Sequence, residues 1–236
     1  MFWYFTLNPI LIAAAVIPAI VLMVYVYRAD RLEKESPVQL VSLLIGGVIA
    51  TALAKVTERA GDFILSAAFA DNMEMYNFFM YFGVVAFSEE GFKYLLLKRR
   101  TWRDPGFNCQ FDAVVYAVFV SLGFALWENI AYVMMYGFGT ALVRAVTAVP
   151  GHACFGVFMG AFYGFARRYA NEGRESASKL CRMLAVICPA LLHGAYDYIA
   201  SGTMDGEWVF IAFVAALFLA AFMMVRRLSS HDQYID

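Results

Sequence analysis

The residues of this chain that could do acid–base or metal chemistry are few, and they fall in groups. Glu89 and Glu90 are adjacent, and Lys93 follows at i+4 from the first and i+3 from the second, so on a helix it reaches either carboxylate. Glu128 stands beside Asn129. His152 lies two residues after Pro150, and His193 and Asp197 stand at i and i+4 on one helix face. Two neighbouring carboxylates in a low dielectric do not both ionise easily, which suits a general base beside a general acid. A carboxylate next to an imidazole fixes its tautomer, whether that imidazole is a base or a ligand.

No serine or cysteine is placed to match this set as a nucleophile, so water is the expected nucleophile of a hydrolysis. Two mechanisms fit. In one, Glu89 or Glu90 takes the proton of water, and His193, Asn129 or another donor stabilises the oxyanion. In the other, His152, His193 and Glu128 hold Zn2+ in a His2Glu pattern and another glutamate is the base. There is no HExxH, and each candidate ligand comes from a different segment.

The elements that must position these groups are membrane spans. Of 236 residues, 62% are apolar, 17% aromatic and 16% charged, and the mean hydropathy is +0.65. A soluble domain averages about 45–50% apolar and about 25% charged. A span needs about 20 apolar residues, and seven segments qualify: 8–27, 38–56, 75–97, 111–135, 141–166, 183–200 and 207–225. A charge at a span centre costs roughly 2.5–3.5 kcal/mol and is usually paired and functional. Spans 1, 2 and 7 are nearly clean, Lys55 apart. The fold expected is therefore an all-α polytopic membrane protein, a single membrane domain over 1–236. Helices at 8–56 support it, motif-bearing helices at 75–200 supply a four-helix catalytic core, and 207–225 is the terminal helix.

Charge in the connections sets the topology. Arg28, Arg31 and Lys34, then Lys98, Arg99, Arg100 and Arg103, then Arg167 to Arg182, and finally Arg226 and Arg227 all fall on one side of a seven-span chain. The other side carries Glu58, Asp62, Asp71, Glu74, Asp205 and Glu207. The excess of lysine and arginine marks the inner side, placing the N-terminus out and the C-terminus in. Met1–Phe5 lacks a positive leader region, and no cleavage site follows the first apolar run, so that span is expected to be retained. A net charge of −1 gives no sign of nucleic-acid binding.

Other groups read as structural. The four cysteines lack CxxC spacing and are taken as small hydrophobes. Asp112 reads as a charge at a helix start, Arg144 as interfacial, and His231 as a solvated tail residue. Residues 169–182 read as a loop. His152, Gly156, Gly160 and Gly164 form one i, i+4 stripe, which predicts a close helix–helix approach. Pro150 is expected to loosen the helix beside His152 by freeing the carbonyl of Val146.

Glu89-Glu90-x-x-Lys93, Gly123-Phe124-Ala-x-x-Glu128-Asn129, His152-x-x-x-Gly156 and His193-x-x-x-Asp197 resemble the four motifs of the PrsW family of intramembrane proteases. That family is related to the CAAX prenyl endopeptidase and Abi superfamily, and more distantly to the APH-1 scaffold of γ-secretase. The resemblance covers about Tyr76 to Tyr198. It implies a multipass protease of the prokaryotic cell membrane that cuts a single-pass, membrane-anchored substrate. An anti-sigma factor cut on its extracytoplasmic side is the best-known case. Matched position by position, Glu89 and Glu90 would be the catalytic pair and His193 the essential histidine. Glu128, His152 and Asp197 would complete the site, with Lys93 and Asn129 supporting it. The resemblance leaves metallo-type and glutamate-type mechanisms both open.

Two rivals belong to other classes. A non-catalytic scaffold would use the polar groups only to hold helices together. A proton-coupled transporter would use them as a relay, but it should show inverted repeats, and none is visible.

Overall fold

The computed structural model describes residues 9–202 and 207–235. Met1–Phe5, residue 8 of the first expected span and the loop residue Asp205 lie outside the described residues. The described elements are helical: α1 (Pro9–Ala29), α2 (Pro37–Ala68), α3 (Met73–Phe78), a π-helical turn (Phe79–Val85), α4 (Ala86–Thr101), α5 (Asp112–Tyr136), α6 (Phe138–Val146), α7 (Ala148–Asn171), α8 (Glu175–Ala200) and α9 (Glu207–Ser230). Among the described residues, α1, α2, α5, the joined pair α6–α7, α8 and α9 are six segments long and apolar enough to cross a membrane. The remaining expected span is the polar one. It runs continuously through α3, the π turn and α4, and carries Glu89, Glu90 and Lys93.

α5 is the axis of the molecule. Its residues from Asp112 to Ala125 are all buried, side chains on every face included. A helix apolar all round must be surrounded, and α7 and α2 approach it closely enough to do this. The approach depends on glycine. A Cβ on Gly160 would lie 2.5 Å from Val114 Cα, and one on Gly164 would lie 2.6 Å from the Gln110 carbonyl oxygen. On the other flank a Cβ on Gly47 would come to 2.1 Å from the Val120 carbonyl oxygen, and one on Gly123 to 2.2 Å from that of Leu44. The glycine stripe thus brings His152 against α5, next to Glu128.

The segment expected at 141–166 is two helices. α6 ends at Val146, and α7 begins at Ala148 after Thr147. Pro150 therefore sits in the first turn of α7, where a missing amide costs no helical hydrogen bond; it starts a helix and does not loosen one. α6 is joined to α5 through Gly137, whose φ of +83° is readily adopted only by glycine. The stretch 169–182 is mostly helix, because α7 runs on to Asn171 and α8 begins at Glu175. Pro189 does lie inside α8, one turn before His193. Gly194 packs against Phe82 of the π turn, where a Cβ would meet the ring at 2.6 Å. That contact sets α8 beside the helix that carries the paired glutamates.

Candidate active site

Glu89 and Glu90 are consecutive and so stand about 100° apart on α4. Both are buried, with 2% and 0% of their surface exposed. Lys93, also fully buried, places its Nζ 2.8 Å from Glu90 Oε1 and 3.5 Å from Glu89 Oε2. The same ammonium donates to His152 Nδ1 at 3.1 Å and stands 4.0 Å above the Phe124 ring. A nitrogen that accepts from an ammonium carries no proton, so the ring hydrogen of a neutral His152 is on Nε2. That nitrogen donates to Glu128 Oε2 at 3.1 Å. Arg144 Nη2 reaches the same oxygen at 2.9 Å, and Lys55 Nζ is 3.5 Å from Glu128 Oε1.

From α8, His193 Nδ1 lies 2.9 Å from Glu90 Oε1. Its Nε2 lies 3.4 Å from Asp197 Oδ2 and 3.8 Å from Glu89 Oε2. The Phe155 ring stacks on the imidazole at 4.8 Å and fixes its plane. Glu89, Glu128, His152, His193 and Asp197 line one cavity of about 180 Å³. Glu90 is not among its lining groups; it lies behind, between Lys93 and His193. Two further motif residues outside the wall, Lys93 and Asn129, hold others in place. Asn129 donates to the Ala15 carbonyl at 2.9 Å and accepts from Arg144 Nε at 3.0 Å, so both ends of its amide are engaged.

Thus the structure brings together all six site residues expected from the sequence. It adds three that the sequence did not assign to the site. Arg144, read as interfacial, points into the bundle: it clasps Glu128 and Asn129 and covers Tyr132 at 4.0 Å. Lys55 and Glu58 of α2, paired at 2.7 Å, line the cavity, so α2 is more than a supporting helix. The signal was present, since Arg144 and Lys55 are charges in apolar runs. What the sequence lacked was the direction in which they point.

The residues fit a divalent metal. Glu89, Glu90, His152 and His193 each offer a ligand atom, and these atoms lie within 4.8 Å of one another. Glu90 Oε2 is buried with no hydrogen-bond partner. Around the cavity five carboxylates, of Glu58, Glu89, Glu90, Glu128 and Asp197, face three cations, Lys55, Lys93 and Arg144. A divalent ion would balance the excess. Glu128, expected as a ligand, instead faces His152 from the far side and lies outside this donor group.

The chain is similar to known proteins over most of its length. The sequence model of the "PrsW family intramembrane metalloprotease" matches residues 35–225. The Protease PrsW of Bacillus subtilis (strain 168) is 33% identical over 211 residues, covering 89% of this chain and 90% of that protein. Protease PrsW of Shouchella clausii is 31% identical over 222 residues, covering 93% and 97%. Protease PrsW of Oceanobacillus iheyensis is 28% identical over 218 residues, covering 92% and 95%. No solved structure matches the chain. A match over most of the length, with buried carboxylates and histidines converging on one cavity among membrane-spanning helices, places this chain in the PrsW family of intramembrane metalloproteases, as a peptide hydrolase.

Proposed function

We propose that Glu89 is the general base of this protease and that Glu90 positions Lys93 and His193. One observation carries the reading: of the two neighbouring glutamates, Glu89 lines the cavity and Glu90 does not. Water in the cavity can reach Glu89, which can take its proton as the oxygen attacks the scissile carbonyl and later pass it to the leaving amine. His193, held by Glu90 and Asp197 on its two nitrogens and stacked on Phe155, stands in a fixed orientation at the cavity wall. Asp197 and the Phe155 ring keep that imidazole from turning.

Zinc is the metal of this reading and would be held by Glu90, His152 and His193. Bound zinc lowers the pKa of its water and polarises a carbonyl. Glu128, clamped by Arg144 and Lys55, orients His152 from behind. In its absence Lys93 supplies positive charge among the same donors.

The substrate is a single-pass membrane protein of the anti-sigma-factor kind, cut on its extracytoplasmic side in the prokaryotic cell membrane. The position of the cavity supports this. Its lining residues Lys55 and Glu58 lie in the second half of α2, and Tyr132 and Arg144 in the last turns of α5 and α6, away from the arginine- and lysine-rich connections. By the positive-inside rule that end faces out. The whole chain then acts as one membrane domain.

The test uses purified protein with a single-pass substrate, and Glu89→Gln, Glu90→Gln and His193→Ala, each with and without a zinc chelator. Glu89→Gln should abolish cleavage with metal content unchanged, whereas Glu90→Gln and His193→Ala should lose bound metal as well. Cleavage that persists in Glu89→Gln would overturn the base assignment. Cleavage by a chelated, metal-free enzyme would overturn the zinc reading and leave a glutamate-activated water.

A further inference from the structure

A second cluster of acidic groups lies at the opposite end of α5. Three segments distant in sequence meet there: the α1–α2 connection with Asp30, Glu33 and Glu35, the stretch before α5 with Asn108, Cys109 and Asp112, and the tail after α9 with Asp232. The tail is laced on by backbone bonds from Gln110 N–H to the Gln233 carbonyl at 3.0 Å and from Ile235 N–H to the Asn108 carbonyl at 2.8 Å. Asp232 Oδ1 accepts the Phe111 amide at 2.9 Å.

Three of these carboxylates are buried, whereas Glu33 and Asp232 are partly exposed. Asp30, Glu35 and Asp112 are 2%, 7% and 0% exposed. Both oxygens of Asp30, one each of Glu35, Asp112 and Asp232, and the side-chain oxygen of Asn108 are buried without a hydrogen-bond partner. Among the described residues no lysine or arginine forms an ion pair with any of the five carboxylates. The nearest ammonium, Lys34, gives its hydrogen bonds to the backbone carbonyls of Tyr27 and Asp30. Unpaired buried charge is costly, and protein interiors meet that cost with a partner or a metal.

The donor geometry supplies the second half of the argument. The ligating atoms of Glu33, Cys109 and Asp112 lie within 4.8 Å of one another. Asp112 uses one oxygen to cap the amides of Asn108 and Cys109, at 3.1 and 2.7 Å, and its other oxygen is the unpartnered one. A thiolate with carboxylates prefers a first-row cation such as Zn2+ over Ca2+ or Mg2+. We infer that Glu33, Cys109 and Asp112 bind a divalent first-row metal ion that fastens the α1–α2 connection to the base of α5. Asp30 and Glu35 supply further negative charge around it. On binding, the thiol proton leaves to bulk water as the sulfur–metal bond forms. Asp112 and Glu128 are about 24 Å apart along α5 at about 1.5 Å per residue, so this site is separate from the catalytic one.

Cobalt(II) distinguishes the two sites, because the catalytic donors include no sulfur. Full-length protein, stripped with a chelator in detergent, is titrated with Co2+ and followed by absorbance. The wild type should show a thiolate-to-cobalt charge-transfer band at one equivalent. Cys109→Ser should lose it, Glu33→Gln should weaken its midpoint by about tenfold or more, and His193→Ala should keep it. Absence of the band in the wild type, or its survival in Cys109→Ser, would overturn the inference. An unshifted midpoint in Glu33→Gln, the variant least able to disturb folding, would overturn the assignment of that ligand.

Discussion

Arg144 Nη2 lies 2.9 Å from Glu128 Oε2 while Arg144 Nε lies 3.0 Å from Asn129 Oδ1, so one guanidinium holds two neighbouring side chains of α5. Arg144 comes from α6, the short helix separated from α7 by Thr147. Its planar fork suits this double contact, and a lysine ammonium cannot reproduce it. Arg144→Gln should lower kcat/KM by about 100-fold, and Arg144→Lys by about tenfold, because the orientation of Glu128 behind His152 is lost. Steady-state cleavage of a single-pass substrate checks this. Equal activity of Arg144→Lys and the wild type would show that charge alone, without the fork, is what matters.

The ammonium of Lys93 has the largest stake in stability. It is fully buried and touches Glu90, Glu89 and His152. Removing one partner of a buried ion pair costs about 3–5 kcal/mol, since the other charge is left uncompensated. Lys93→Met should therefore lower Tm in detergent strongly. The double variant Lys93→Met/Glu90→Gln should recover most of that loss and stay inactive. If the two single effects simply add, the pair is not coupled in the folded protein.

Polar residues in apolar runs made the site legible, because the bilayer makes such residues expensive. Glu89, Glu90, Glu128, His152, His193 and Asp197 all stand out for that reason, and their helices fix their faces. The break at Thr147 is different. Its immediate neighbours Ala145, Val146, Ala148 and Val149 are apolar, and Pro150 reads equally well as a kink inside one long span, so hydropathy joins α6 to α7. The start of α8 was hidden for the opposite reason: Glu175, Lys179 and Arg182 make a helical segment look like a loop. The cluster around Cys109 draws on residues near positions 30, 110 and 232, and no local pattern connects segments so far apart. The π turn before Glu89 also has no sequence signature, although such turns gather near functional sites.

The close approach of α2 to α5 can be tested at single carbon atoms. Gly47→Ala would put a Cβ 2.1 Å from the Val120 carbonyl oxygen, which is backbone and cannot swing away. Overpacking of this kind typically costs about 1–3 kcal/mol. Gly91→Ala is the control: it lies on α4 with nothing within 4 Å of the added carbon. The helical preference of alanine should make that change neutral or stabilising by up to about 1 kcal/mol. Thermal unfolding of the two variants in the same detergent should move in opposite directions. A loss of Tm in Gly91→Ala equal to that in Gly47→Ala would mean that general sensitivity of the bundle, and not contact at Val120, sets the cost.

The acidic connection between α1 and α2 should make stability depend on pH when divalent metal is withheld. Burial, opposed by Lys34 and reinforced by Asp232 and Glu33, pushes the Asp30 carboxyl up to about 6. Burial pushes Glu35 up to about 7, where Tyr116 and Asp112 oppose the shift and Asp30 and Glu33 add to it. A carboxyl raised in the folded state binds its proton more tightly there than in the unfolded chain. Its contribution to stability is therefore fully present below the ordinary carboxyl range, and it is lost as pH rises through the folded values. In a chelator-containing detergent buffer, Tm should fall between about pH 4 and pH 7. Asp30→Asn and Glu35→Gln, which stay neutral throughout, should flatten that fall. A profile that keeps its full slope in the double variant would show that these two groups do not carry it.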